Sequence, residues 1–397
     1  MEKVMLAAEI SLGHGMGIAL EEKDWQYLIV RDIEHLQKYY QALSGDFSIL
    51  WNSPRPFSSA ALIQVAQQTF FVKRSHRSFR SAQDLMQEHL FIAHLAKKGV
   101  HVPQVLTAQT GMTAVEIGDW SYEIHLHSSA IDLYVNTPSW KPFFYAEHAL
   151  QAGKMLAKLH LAAKDYDVVV GRTARYLFSN QDLLESGDII QTLDDRIKNS
   201  IALTQYFLDK KMDSTVLNQL KQVHKKIVDA LRQFPKIWTH NDFHASNLLW
   251  HSDTKHAEVA SVIDFGLCDR TSIAYDVAVA IERNFIDWLG LTESSEIVID
   301  YAGLAKFLQG YAAESDDLEQ LKIVPELLKI VHVDFAFSEL EYFIAITQNQ
   351  QHADAAYYDW LLGHTKWFCS PQGIVFSDKL KSMMDTLFAD RSLANPI

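Results

Sequence analysis

The side chains best suited to chemistry cluster in WTHNDFHASNLLW (residues 238–250) and in SVIDFGLCDR (261–270). His240 and Asp242 leave an apolar run, Asn247 follows Asp242 by five residues, and an apolar run resumes at once. Val262 and Ile263 then deliver Asp264, and Phe265-Gly266 closes that run. The pattern predicts short strands whose ends carry a carboxylate, a carboxamide and a second carboxylate side by side. Hard oxygen donors of this kind suit Mg²⁺, which takes one or two protein carboxylates and shares the rest of its shell with phosphate and water.

H-x-D-x-x-x-x-N followed by I-D-F-G resembles the catalytic loop and metal-binding Asp of the aminoglycoside phosphotransferase and choline kinase-like enzymes. These are small-molecule kinases on a protein-kinase-like fold. The resemblance implies that Asp242 orients the acceptor hydroxyl and takes its proton, and that Asn247 and Asp264 hold Mg²⁺ on the phosphates of ATP. It makes His240 a brace for the loop and Asp276, in AYDVAVAIER, the acceptor of hydrogen bonds that fix it. Phosphoryl transfer depends mainly on positioning and charge neutralisation, so an Asp of ordinary acidity suffices.

The resemblance also calls for a first-lobe lysine and a helix glutamate. Lys73 ends TFFVK and shares a strand face with Thr69 and Phe71, and Glu88 on the next helix is its expected partner. No G-x-G-x-x-G precedes Lys73. The loop SPRPFSSA (53–60) stands in its place, with the Ser58 and Ser59 hydroxyls as expected phosphate contacts. Adenine is expected near Glu123 and His125, through backbone groups. Asn241 occupies a position where many members carry Gly and is expected to put a side chain beside the acceptor.

Only twelve positions separate Asp264 from Asp276, too few for a peptide-binding activation segment. The acceptor is therefore expected to be a small-molecule hydroxyl of aminoglycoside, amino-alcohol or sugar type. The late segment IVHVDFAFSELEYFIAI (330–346) is apolar nearly all round yet holds Asp334, Glu339 and Glu341. One reading makes Asp334, Glu341 and Tyr342 an acidic, aromatic-lined acceptor pocket. The other ties the carboxylates into internal salt bridges with Arg270 or Arg283, since an unpaired buried charge is costly. Two further functions stay open. One is a nucleotide-binding module without turnover. The other is a metal-dependent hydrolase using His240, His244, His251 and His256.

These residues need elements to position them. Runs at 61–65 and 69–73 read as a hairpin. So do 112–117 and 120–126 around Gly118-Asp119. A capped helix lies between the hairpins, with Ser81 and Asp84 at its start and Gly99 at its end. After residue 127 the pattern turns helical, broken by a β insert at 237–263. The expected fold is α+β and bilobal: an N-terminal extension (1–45), an antiparallel-sheet nucleotide-binding lobe (46–127) and a mostly helical lobe with the catalytic loop and acceptor site (128–397). The 397 residues are 48% hydrophobic and carry 36 Lys and Arg against 49 Asp and Glu, a net charge of −13. That balance argues against binding to nucleic acid or to an anionic membrane surface. With two cysteines, no apolar leader and no membrane-length apolar run, a cytoplasmic protein is expected.

Overall fold

A computed structural model describes residues 25–53, 57–137, 140–172, 176–208, 210, 212–290 and 296–394. The first region is a five-stranded antiparallel sheet of order β1-β2-β3-β5-β4: β1 (Phe47–Asn52), β2 (Ser59–Val65), β3 (Gln68–His76), β4 (Ala114–Ile117) and β5 (Trp120–Leu126). Both expected hairpins form. Val65 pairs with Gln68 across Ala66, and Ile117 pairs with Trp120 across Gly118, whose φ of 61° suits a Gly-first turn.

Period-two alternation gives this sheet two different faces. Phe70 and Val72 of β3, with Tyr122 and Ile124 of β5, pack against Leu28, Ile33, Leu36, Tyr40 and Leu43. The helix α1 (Val30–Leu36) and the chain on either side of it thus form a cover over the outer face. Residues 1–24 of the expected extension lie outside the described residues. Phe71 and Lys73 of β3, and Glu123 and His125 of β5, turn to the other face and line a cleft. Helix α2 (Ala82–Lys97) borders that face, its Ser81 hydroxyl accepting the Asp84 N–H.

The second region is largely helical. Its helices include α3 (Ala146–Ala163), α4 (Ile189–Asn199), α5 (Ser214–Gln233), α6 (Ile273–Phe285), α7 (Tyr301–Glu314) and α8 (Val333–Tyr342), and a longer one spans Pro371–Ala394. Two small ladders interrupt it, β6 (Lys236–Thr239) with β9 (Asp269–Ser272) and β7 (Leu248–Trp250) with β8 (Val259–Val262). Every residue of α6 is buried, so its polar side chains must find partners inside the protein.

Candidate active site

The loop after β6 is held by α6. Asp276 accepts the backbone N–H of His240 (3.0 Å) and of Asn241 (2.7 Å), and its Oδ2 meets His160 Nε2 at 2.9 Å. Burial pushes the Asp276 carboxyl up, but His160 and His240 outweigh it and hold it below the usual range. His240 Nδ1 accepts the Asp242 N–H (3.2 Å), so its Nε2 carries the proton given to the Ile263 carbonyl (3.1 Å). The sequence reading missed a second anchor, Asn284. It donates to the Phe243 carbonyl (2.8 Å) and accepts the Ala245 N–H (2.9 Å).

The β7–β8 ladder brings the remaining groups together. Leu248 pairs with Val262, and the Ile263 N–H donates to the Asn247 carbonyl (2.9 Å). Asn247 and Asp264 therefore leave neighbouring strand ends. Asp264 and Asn241 both adopt left-handed backbone, φ 57° and 59°, a cost met by the contacts that hold them. The Asn247 amide donates to the Asp242 carbonyl (2.9 Å) and carboxylate (3.3 Å), and Lys73 Nζ reaches Asp264 Oδ1 at 3.0 Å. Lys73, Asp242, Asn247 and Asp264 line one cleft of about 610 Å³ between the sheet and the helical region.

Charge in the cleft is set by neighbours. Burial pushes Asp242 up, but His244 (3.5 Å), Arg283 (3.5 Å) and His240 more than offset this, leaving it well below the usual carboxylate range. Burial likewise raises Asp264, and Lys73 overcomes it despite the opposing charge of Asp242. Beyond Asp242, the Arg283 guanidinium sits within 4.9–5.5 Å of the Trp140, Trp360 and Phe335 ring centres. These four residues and Glu339 line the same end of the cleft.

Several expected site residues make other contacts than expected. Among the described residues no ion pair joins Lys73 to Glu88. Glu88 lines the same cleft but faces Arg80 (3.6 Å) and Arg172 (3.7 Å) instead. Ser58 lines the cleft, whereas Ser59 belongs to β2, is buried, and donates its hydroxyl to the Gln26 carbonyl at 2.5 Å. Period-two alternation turns these neighbours to opposite faces. Residues 54–56 of that loop lie outside the described residues. Glu123 and His125 reach the cleft through side chains, while β5 is flanked by β3 and β4 and bridged at His125 to Val105.

The late helix also corrects its expectation. Arg196 joins Asp334 (2.9 Å) to Glu341 (3.7 Å), and neither carboxylate lines the cleft. The internal ion-pair reading holds in kind, with Arg196 rather than Arg270 or Arg283. Tyr342 accepts Trp25 Nε1–H (3.0 Å) and packs edge-on against Phe57 and Phe79. Asn241 does not line the cleft. Its amide donates to the Ser179 carbonyl (3.0 Å), and its oxygen accepts from the Thr239 (2.8 Å) and Thr271 (3.1 Å) hydroxyls. His251 and His256 are exposed. Among the described residues the histidine and carboxylate atoms close enough to hold an ion belong to His89, Glu123 and His125.

No curated protein matches the sequence. Solved structures do resemble the fold. A microcompartment-associated aminopropanol kinase superposes with TM-score 0.57 at 15% identity, covering 87% of this chain and 99% of its own. An amicoumacin kinase in complex with AMP-PNP, Ca²⁺ and Ami gives 0.53 at 15%, covering 85% and 95%. A spectinomycin phosphotransferase in complex with ADP and spectinomycin gives 0.52 at 12%, covering 90% and 100%. The sequence pattern of the phosphotransferase enzyme family matches residues 57–321, well over half of the chain, with Lys73, Asp242, Asn247 and Asp264 inside the match. This protein belongs to the phosphotransferase enzyme family.

Proposed function

We propose that the protein transfers the γ-phosphate of ATP to a hydroxyl of a small molecule of amino-alcohol, aminoglycoside or sugar type, in the cytoplasm, with Mg²⁺. The observation that carries this is the convergence of Asp242, Asn247, Asp264 and Lys73 on one cleft. The donor set suits the ion. Asn247 spends its amide nitrogen on Asp242, so its oxygen is the atom left, and Asp264 gives Lys73 a single carboxylate oxygen. Bound there, Mg²⁺ would neutralise charge on the nucleotide phosphates.

The protein's own groups do the rest. Lys73 pairs with phosphate oxygens. Asp242 is ionised, so it accepts a hydrogen bond from the acceptor hydroxyl, orients it in line and receives its proton as the new bond forms. Arg283 keeps Asp242 charged and seats the acceptor end among Trp140, Phe335 and Trp360. Beyond β5, the segment holding His127, Ser128 and Ala130 lines the cleft and is the place for the base. The chain runs from Asp264 through β9 straight into α6, which leaves no platform for a peptide.

The test is an ATP-consumption screen across amino-alcohols, aminoglycosides and sugars, with and without Mg²⁺. Acceptor-dependent ADP release that needs Mg²⁺ is expected. Nucleotide binding without turnover on any acceptor would instead make the protein a binding module.

A further inference from the structure

The last turn of α6 carries Arg283 to the end of the cleft beyond Asp242. The residue is only 8% exposed, yet it lines the cleft. Its charged neighbours among the described residues are Asp242 Oδ1 at 3.5 Å and Glu282 Oε2 at 3.7 Å, and no nitrogen of the guanidinium makes a hydrogen bond there. The Asp242 oxygen has no hydrogen-bond partner either. Three ring faces hold the cation instead, with Trp140, Phe335 and Trp360 centred 4.9, 5.5 and 5.1 Å from its Cζ. A ring face steadies a cation without using up its N–H groups. The fork of donors is therefore fixed in place and still lacks acceptors.

Buried donors in folded proteins find oxygen atoms in the protein, in water or in a ligand. The reaction at Asp242 favours the ligand. As the acceptor hydroxyl gives its proton to Asp242, that carboxylate loses its charge and Arg283 loses its nearest counter-ion. Glu282 replaces it poorly, because burial pushes its carboxyl up in spite of Arg283. A buried charge without a counter-ion is costly, and an acid group on the acceptor removes that cost.

We propose that the acceptor is a short hydroxy acid whose carboxylate is gripped by Arg283 while its hydroxyl rests on Asp242. The proposal deepens the phosphotransferase reading and rests on it for the fate of the hydroxyl: its oxygen bonds to the γ-phosphorus, its proton passes to Asp242 and ADP leaves. A planar carboxylate matches the guanidinium fork with two parallel hydrogen bonds. A phosphate ester would bring a second negative charge against the ionised Asp242. The closeness of Arg283 to Asp242 places the acid only a few bonds from the reacting hydroxyl. Glu339 lines the same end, so an amino group elsewhere on the acceptor is accommodated. Sugar acids and hydroxy amino acids fit this description; a polycation would set an ammonium against the guanidinium.

Matched pairs test this at saturating ATP and Mg²⁺: glycerate against glycerol, serine against serinol, gluconate against glucitol, with kanamycin as the polycation. Each acid should exceed its partner about tenfold or more in kcat/KM, chiefly through KM. Arg283→Gln should slow every acceptor, since Asp242 loses a neighbour, and should also lower the acid-to-alcohol ratio about tenfold. A merely structural role would leave that ratio alone. An unchanged ratio in the variant, or a wild type that uses the alcohols or kanamycin as well as the acids, would overturn the proposal. Should Arg283→Gln not fold, the wild type carries the test through inhibition. Butanoate should compete with the acceptor and butanamide should not, and equal inhibition would overturn the assignment. Calorimetric titration of glycerate and of glycerol into protein loaded with a non-hydrolysable ATP analogue needs no turnover. A protein that binds the acid in preference but phosphorylates nothing would refute the proposed function and leave this inference standing. Turnover confined to amines and neutral alcohols would do the reverse.

Discussion

Asp242 is half-buried in the cleft yet ionised, because His244, Arg283 and His240 together outweigh desolvation. Its role rests on that charge. Asp242→Ala should cut turnover at least 10²-fold while ATP affinity stays within about threefold, and unchanged turnover would remove it from the chemistry. Asp264→Ala should weaken Mg²⁺-dependent ATP binding about tenfold or more, measured by nucleotide titration with and without the ion. Asn241 presents a different case. It combines left-handed backbone with a fully buried amide network, so Asn241→Ala should cost roughly 2–3 kcal/mol of stability by urea unfolding. Acceptor preference should not change, because the side chain does not face that end. A changed preference with unchanged stability would restore the expectation that Asn241 borders the acceptor.

At the scale of elements, α3 and α7 touch through glycines. A Cβ on Gly153 would meet the Phe307 carbonyl, and one on Gly310 the Leu150 carbonyl. Gly153→Ala should cost roughly 2–4 kcal/mol, read as a lowered Tm, because backbone cannot step aside as a side chain can. On α8, burial pushes Asp334 up to about 6 against the pull of Arg196. A carboxyl raised from its ordinary 3.8 stabilises the fold fully below that value, and the contribution is lost as pH rises through about 6. Asp334→Asn should therefore gain on the wild type by roughly 2–3 kcal/mol between pH 4 and pH 7 in urea unfolding. An unchanged difference would show that Arg196 fully compensates the charge. These elements also show what a sequence can and cannot disclose. The hairpins were legible because Gly118-Asp119 interrupts two alternating runs, and Asp276 was legible through its motif. Strand β9 was not, since Asp269, Thr271 and Ser272 are buried without an apolar pattern. Arg172, a partner of Glu88, and Arg196, the partner of Asp334, were hidden because they come from distant segments, Arg196 standing 138 positions from Asp334. The contact of His89 with Glu123 joins a helix to a strand 34 positions on, which no local pattern reveals.

For the whole molecule, the two regions are joined at the cleft and also by an aromatic latch. Trp25 stacks on His76 (5.3 Å), meets Trp120 edge-on (5.2 Å) and donates to Tyr342 of α8. Trp25→Ala should raise hydrogen exchange in α1 and in α8 together. Exchange that rises on one side alone would show that the latch does not couple them. The latch also has a consequence for the order of assembly. The cover helix α1 leaves the ribosome well before β5, the strand that completes the face it shields, so its apolar stripe must wait for about ninety residues of further synthesis. Trp25 waits longer still, because its tyrosine lies 317 positions downstream. Trp25 thus finds its place only after the helical region has been made, and the bolt between the halves slides home behind it.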